Sequence, residues 1–227
     1  MTYILHIETS TKVCSVALSC NGKCIDFVTE SSLDFVHSER LNVLILDLLT
    51  RNGVDIKILA AVSVSSGPGS YTGLRIGVST AKGLCYALSI PLIEIDSLSA
   101  LAGLIKRQNT FVESVILSMI DARRMEAYTA LFDANYYPIK PVSADVFDVS
   151  YLAEISEHKQ IVLVGDAQDK CRSLWAERKN FHFSNLKADA RGQIELTYDK
   201  FRKEDFVDLV YFEPQYFKDF QPGVKAK

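Results

Sequence analysis

Paired cysteines are missing from this sequence. Five cysteines, Cys14, Cys20, Cys24, Cys85 and Cys171, are scattered over 227 residues, and none forms a Cys-x-x-Cys pair. An odd, unpaired set argues against a disulfide framework. Cys20 and Cys24 could supply half of a metal site, but no second pair completes it. Reduced thiols on the strands of a cytosolic protein are therefore expected. Histidine clusters are missing too. His6, His37, His158 and His182 never stand three or four residues apart, as a helical metal site requires, and no Cys–His or Ser–His–Asp set assembles. Positive charge is not in excess: 25 Lys and Arg face 28 Asp and Glu, for a net charge of −3. A chain that grips RNA by itself shows a basic balance or stripe, so any nucleic-acid role is expected to be indirect. No run is long and apolar enough to span a bilayer. Residues 1–8 carry His6 and Glu8 where a signal peptide has a basic start and an apolar stretch, which suits a cytoplasmic protein. Low-complexity segments are absent.

What remains is an ordinary globular composition, 48% hydrophobic and 23% charged, long enough for one large domain or two lobes. Apolar runs and alternation predict strands over 3–8, 13–19 and 23–30, with Asn21-Gly22 as a hairpin turn. A helix is expected over 34–51, stopped by Asn52-Gly53. A strand over 58–64, a helix over 73–89 ended before Pro91, a strand over 92–95 and a helix over 97–106 follow. The order β-β-β-α-β-α-β-α is that of the ribonuclease-H-like fold. The second half begins again, with strands over 112–120 and 125–133, and reads as a repeat. After it come a polar stretch with Pro138 and Pro141, then helices over 149–156, 168–180 and 191–202, with a strand over 160–164 among them. The expected architecture is α/β, two ribonuclease-H-like lobes with mixed sheets flanked by helices. Residues 1–106 would form the first lobe and 107–227 a degenerate second one, with the last segment returning to the first.

Gly67-Pro68-Gly69-Ser70-Tyr71-Thr72-Gly73 is the most distinctive local feature. A glycine-rich loop between a strand and a helix exposes backbone N–H groups that suit an anion. It is neither a P-loop, since no Lys follows the last Gly, nor a dinucleotide fingerprint, since the spacing is wrong. The alternative is a tight turn with Thr72 as the helix cap. Glu8, Thr9 and Ser10 end the first strand, where a carboxyl can hold a metal or water and hydroxyls can face phosphates. They can equally form a polar turn, and one carboxyl without a partner is weak evidence for hydrolysis.

The two helices of the first half carry apolar character on more than one side. Leu41, Leu44, Ile45, Leu48 and Leu49 share one face at 100° per residue. Phe35, Val36, Val43 and Leu46 fall opposite. The next helix presents Ile76, Ser79, Thr80, Gly83 and Ala87 away from its core face, small residues that permit close approach of another helix. Such a helix is covered by the second lobe or binds a partner.

Ile4-Leu5-His6-Ile7-Glu8-Thr9-Ser10-Thr11, Ser15-Val16-Ala17-Leu18, the motif from Gly67 through Gly77 and Ala81-Lys82-Gly83-Leu84 closely resemble the TsaB (YeaZ) family of bacterial tRNA threonylcarbamoyladenosine biosynthesis proteins. Asp121-Ala122-Arg123 and Glu213-Pro214-Gln215-Tyr216 fit as well, whereas residues 134–205 add little. The resemblance implies an actin/Hsp70-type ATPase fold, and homodimers formed through the first-lobe helices. It also implies pairing with a TsaD-like transferase paralogue joined by a TsaE-like small ATPase. That complex transfers a threonylcarbamoyl group to N6 of adenosine 37 in tRNAs that read codons starting with A. By this reading the chain meets tRNA only through the complex and binds no membrane. It holds no cofactor tightly, though ATP or ADP could sit at a junction with partners. The departures argue against catalysis. Lys12 and Val13 stand where the transferase has acidic residues. Counted without gaps from Pro91, its two metal-binding histidines fall on Ser97 and Leu101. The later Gly165-Asp166-Ala167 loop, a nucleotide-side candidate, has Ala167 where a second glycine would let adenosine approach. The alternative is an autonomous ATPase or kinase-like enzyme, or a glycoprotease-type metallopeptidase.

Overall fold

The computed structural model describes residues 1–31, 37–108, 113–152 and 159–217. Strands β1 (Tyr3–Glu8), β2 (Val13–Cys20) and β3 (Lys23–Ser31) form an antiparallel meander. Its second turn puts Asn21 and Gly22 at φ 50° and 76°, the left-handed pair that a two-residue hairpin turn requires. Helix α1 (His37–Arg51) buries Leu41, Leu44, Ile45, Leu48 and Leu49, the face expected from their spacing. It ends in a Schellman motif: Val54 N–H donates to Leu49 O and Gly53 N–H to Thr50 O, both at 3.0 Å, with Gly53 at φ 62°. Strand β4 (Leu59–Gly67) runs parallel to β1, and β5 (Leu92–Asp96) parallel to β4. Helix α2 (Tyr71–Leu88) connects them, and α3 (Ser97–Gln108) follows. The first sheet is ordered β3-β2-β1-β4-β5.

The second half repeats the plan. Strands β6 (Val115–Asp121), β7 (Glu126–Phe132) and β8 (Pro138–Val146) form a meander. Strand β9 (Ile161–Val164) runs parallel to β6, and β10 (Phe181–Phe183) parallel to β9. The order β8-β7-β6-β9-β10 matches that of the first sheet. The short helix α4 (Gln168–Cys171) lies between β9 and β10, and α5 (Ile194–Arg202) follows a single 3-10 turn at Ala190–Gln193.

The two halves exchange helices. Leu98, Leu101, Leu104 and Ile105 of α3 pack with Ile116, Ile120 and Val162 of the second sheet. Tyr198 and Phe201 of α5 pack on Ile4, Ala61 and Ile93 of the first. A Cβ on Gly22 would come within 2.7 Å of the Tyr198 ring, so α5 lies close on the β2–β3 hairpin. The chain then runs back along the first sheet, where Val207 N–H donates to Leu92 O at 3.1 Å.

Several sequence expectations differ from the structure. The proline-containing stretch after β7 is strand β8 rather than a connection. Proline removes a ladder donor, but β8 is an edge strand with Pro138 at its start, where that loss is tolerated. Residues 149–152 are a turn, not the start of a helix, and the remainder of that expected helix, 153–156, lies outside the described residues. The helix expected over 168–180 is cut to α4. Trp175, buried among Phe147, Tyr151 and Phe181, is held there by its Nε1–H donating to Asp148 O at 3.1 Å. Helix α2 starts earlier than expected. Its cap is Ser70, whose Oγ accepts from Gly73 N–H at 3.2 Å, while Thr72 already lies inside the first turn.

Candidate functional site

A buried polar chain crosses the middle of the first sheet. Gln193 has no exposed surface. Its Nε2 donates to Ile7 O at 2.8 Å and to Ser65 Oγ at 2.9 Å, and its Oε1 accepts from Ser63 Oγ at 2.8 Å. With its hydroxyl hydrogen committed to Gln193, Ser63 accepts from His6 Nδ1–H at 2.8 Å, and His6 Nε2 accepts from Ser19 Oγ at 2.8 Å. His6 is thereby a neutral imidazole. Burial, with the charge of Arg107 adding, pushes its pKa from 6.5 down to about 3.

That shift makes stability depend on pH. In the unfolded chain His6 takes up its proton near 6.5, and in the folded chain not until about 3. The unfolded state binds more protons throughout that window, so stability is full above it and falls as the pH drops through it. Between pH 6.5 and 5 the loss is expected to be about 2 kcal/mol, at about 1.4 kcal/mol per unit. Urea unfolding of the native chain and of His6→Gln at both pH values checks this. An equal drop in the two would assign the effect elsewhere.

Glu8 belongs to the same chain. Its Oε1 accepts from Ser10 N–H at 2.7 Å, and its Oε2 accepts from Ser65 Oγ and, at 3.4 Å, from Gln193 Nε2. Glu8, Thr9 and Ser10 are all buried. The glycine-rich loop closes over them. Ser70 N–H donates to Ser10 O at 2.6 Å. A Cβ on Gly69 would lie 2.7 Å from Ser10 Cβ, and one on Gly73 would be driven into Thr9 O. On the far side, Gln215 N–H donates to Ser66 O at 2.7 Å, and a Cβ on Gly67 would meet Gln215 O at 2.6 Å. Tyr216 rests on Tyr71 with ring centroids 4.8 Å apart. Ser66, Gly67, Pro68, Gly69, Ser70, Tyr71, Thr72 and Gly73 thus form a turn packed on both sides by the chain itself, with the Ser70 N–H given to Ser10 O and the Gly73 N–H to Ser70 Oγ.

A separate cleft of about 370 Å³ opens between the halves. Thr11, Lys12 and Ser31 line it from one side, and Gly165, Asp166 and Lys187 from the other. Of the nucleotide-side candidates only Gly165 lines it; Glu8, Thr9 and Ser10 do not. Gly165 has φ 113°, and a Cβ there would strike Met119 O and come within 3.0 Å of Leu101 Cδ1. Asp166 Oδ1 accepts from Asp121 N–H at 2.9 Å, and burial raises the Asp166 carboxyl above its usual range. Lys12, named in the sequence only as a departure from the transferase, and Lys187 stand 175 residues apart and share no pattern; only the fold brings them together.

Ser97 and Leu101, the positions that the family resemblance would assign to metal-binding histidines, offer no site for a metal. Ser97 and Leu101 are both buried, and Leu101 packs in the core. A leucine cannot ligate, and a lone serine is a poor ligand for iron or zinc. The five cysteines are free thiols. Burial pushes Cys14 and Cys85 up to about 12 and Cys171 to about 11, which keeps them protonated and inert.

The outer faces of α1 and α2 are open. Val43 is 49% and Leu46 67% exposed, so the second half does not cover them. On the neighbouring α2, Ser79, Gly83 and Ala87 are exposed while Ile76 and Thr80 are half-buried. Phe35 and Val36 lie outside the described residues. The glycines of α2 differ in purpose. Cβ atoms on Gly73 and Gly77 would be driven into Thr9, but one on Gly83 would meet nothing within 4 Å. Among the described residues, nothing requires Gly83 to be small.

The family model for tRNA N6-adenosine threonylcarbamoyltransferase, TsaD, matches residues 34–225. The tRNA threonylcarbamoyladenosine biosynthesis protein TsaB of Escherichia coli is 35% identical over 132 residues, 58% of this chain and 55% of that protein. TsaB of Bacillus subtilis is 35% identical over 163 residues, 70% of this chain and 69% of that protein. The match therefore spans about half the length of the Escherichia coli relative and two thirds of the other. Among solved structures, YeaZ from Pseudomonas aeruginosa superposes with a TM-score of 0.76 at 24% identity, covering 95% of this chain and all of that one. The activator of 2-hydroxyisocaproyl-CoA dehydratase from Clostridium difficile gives 0.52 at 12% identity, over 90% and 97%. Two sheets of matching order flanked by helices, with these neighbours, make the fold a two-lobe one of the actin/Hsp70 type.

Proposed function

This chain belongs to the TsaD family, in its TsaB (YeaZ) branch, and from that premise we propose that it is a non-catalytic, dimerising subunit in tRNA threonylcarbamoyladenosine biosynthesis. The observation that carries the reading is the open face of α1 and α2. Val43 and Leu46 stand exposed beside a Gly83 that has no packing reason among the described residues. A partner helix would bury the apolar side chains and approach closely over the glycine. The partner would be a TsaD-like transferase paralogue, with the same face serving self-pairing and a TsaE-like small ATPase joining the pair. The transferase, not this chain, would carry out the threonylcarbamoyl transfer to N6 of adenosine 37, and this chain would meet tRNA only through the complex. That complex would work in the cytoplasm, where tRNA is modified; among the described residues no helix is long and apolar enough to cross a membrane. No cofactor would be held tightly, and ATP or ADP would bind at a junction with partners.

The site chemistry supports a non-catalytic role. Glu8 is enclosed by Ser10, Ser65 and Gln193, and the buried Leu101 falls where the resemblance would place a metal-binding histidine. A Val43→Glu, Thr80→Arg double variant places a charge on each helix of the face. It is expected to stay folded and to weaken pairing at least about 100-fold, the effect of about 3 kcal/mol lost from an interface centre. Pull-down with the transferase checks it; a folded double variant that pairs normally would move the interface elsewhere. The cleft with Lys12 and Lys187 favours a second reading, an autonomous ATPase. Steady ATP hydrolysis by the purified chain, abolished by a Lys12→Ala, Lys187→Ala double variant, would select that reading.

A further inference from the structure

The segment 213–217 has contacts out of proportion to its burial. None of these residues is buried: Pro214 is half-covered and the others are exposed, Tyr216 and Phe217 at 41% and 40%. Yet the segment touches both halves of the molecule. On the first it holds the glycine-rich loop, through Gln215 N–H to Ser66 O at 2.7 Å and through Gln215 O against Gly67. Arg75 Nε donates to Tyr216 OH at 3.0 Å, with the guanidinium 4.1 Å above the Tyr71 ring. On the second, the Phe217 ring lies 6.3 Å from that of Tyr128 on β7. Upstream the segment is tethered by Lys82 of α2, whose Nζ donates to Val210 O at 3.2 Å and Phe212 O at 2.9 Å.

We propose that residues 213–217 are a latch between the two lobes, with an engaged state, seen here, and a released state in which the glycine-rich loop and β7 both loosen. Segments held by a few exposed hydrogen bonds and little apolar burial open first in a folded protein. Here a few side chains control the opening. Losing the Tyr216 and Phe217 rings frees the tip, while Lys82 keeps the root at 210–212 in place. The hinge needs no core rearrangement, because the tip contributes nothing to the buried core. Lys82 adjoins Gly83 on the open face of α2, so a partner docked there would press on the tether and bias the latch. That coupling rests on the proposed partner reading; the latch itself does not.

Hydrogen exchange on the free, full-length chain tests it without any partner, so failure of the partner reading would leave this result unaffected. In a Tyr216→Ala, Phe217→Ala variant, amides in 66–74 and 126–132 are expected to exchange at least about tenfold faster, while β2 keeps its native rate. Native rates at both sites in this variant would overturn the latch. Faster exchange in β2 as well would mean global destabilisation. Arg75→Met, which removes the hydrogen bond to Tyr216 and the guanidinium's contacts with the Tyr71 and Tyr216 rings, then decides. Faster exchange in both 66–74 and 126–132, with β2 unchanged, supports the latch, and faster exchange confined to 66–74, or no change at either site, refutes it.

Discussion

Replacing Gln193 with leucine is expected to lower the unfolding free energy by about 4 kcal/mol, among the largest single-residue losses in this chain. The side chain has no exposed surface and makes three hydrogen bonds between 2.8 and 2.9 Å, to Ile7 O, Ser63 Oγ and Ser65 Oγ. Leucine is of similar size, so the loss is one of polar partners rather than volume. It would strand groups already removed from water, each costing about 1–3 kcal/mol. The damage would also spread. Ser63 positions the proton on His6, and Ser65 holds Glu8, so both ends of the polar chain would lose their order. Gln193 comes from the second half of the sequence and reaches into the first sheet, so the same substitution weakens the junction between halves. Denaturant unfolding measures it directly. A loss under about 1 kcal/mol would mean that the groups find other partners and that the chain is not cooperative.

The second large effect is a contrast within one helix. Gly73→Ala is expected to cost about 3 kcal/mol, because the new methyl would be driven into the Thr9 carbonyl and backbone must move. The methyl would lift the first turn of α2 off the 9–10 turn and break the Ser70 N–H to Ser10 O bond on which the loop closes. Gly83→Ala, ten residues on, meets open space. In the free chain it is expected to stabilise by about 1 kcal/mol, since alanine loses less backbone freedom in a helix. The two substitutions thus carry opposite signs although the chemistry is the same. If Gly83→Ala stabilises the free chain yet weakens pairing, the glycine is there for the partner. If it leaves pairing intact, the close-approach argument fails.

Much of the fold was legible because its signals are local. Asn21-Gly22, Asn52-Gly53 and Pro91 punctuate the chain, and the 3.6-residue period of α1 is strong. The order of the first half followed from these alone. The second half was harder to read for physical reasons. Strand β8 contains two prolines that only an edge position accommodates, and β10, at three residues, is too short to show a period. The site divides in the same way. The glycine-rich loop and the outer faces of α1 and α2 could be picked out from the sequence. Gln193 gave no signal, because a buried glutamine and an exposed one look alike until the fold supplies its partners. The packing of the glycine-rich loop, against the 9–10 turn on one side and Gln215 on the other, is something no local pattern reveals.

The central claim is that this chain works as a partner subunit through the open face of its first-lobe helices. The most direct test is light scattering on size-exclusion chromatography of the 25.4 kDa chain mixed with the transferase paralogue from the same genome. The account predicts a one-to-one complex that displaces any homodimer, and its loss in the Val43→Glu, Thr80→Arg variant. Separate elution of the two native proteins, with and without ATP and the small ATPase, would contradict it.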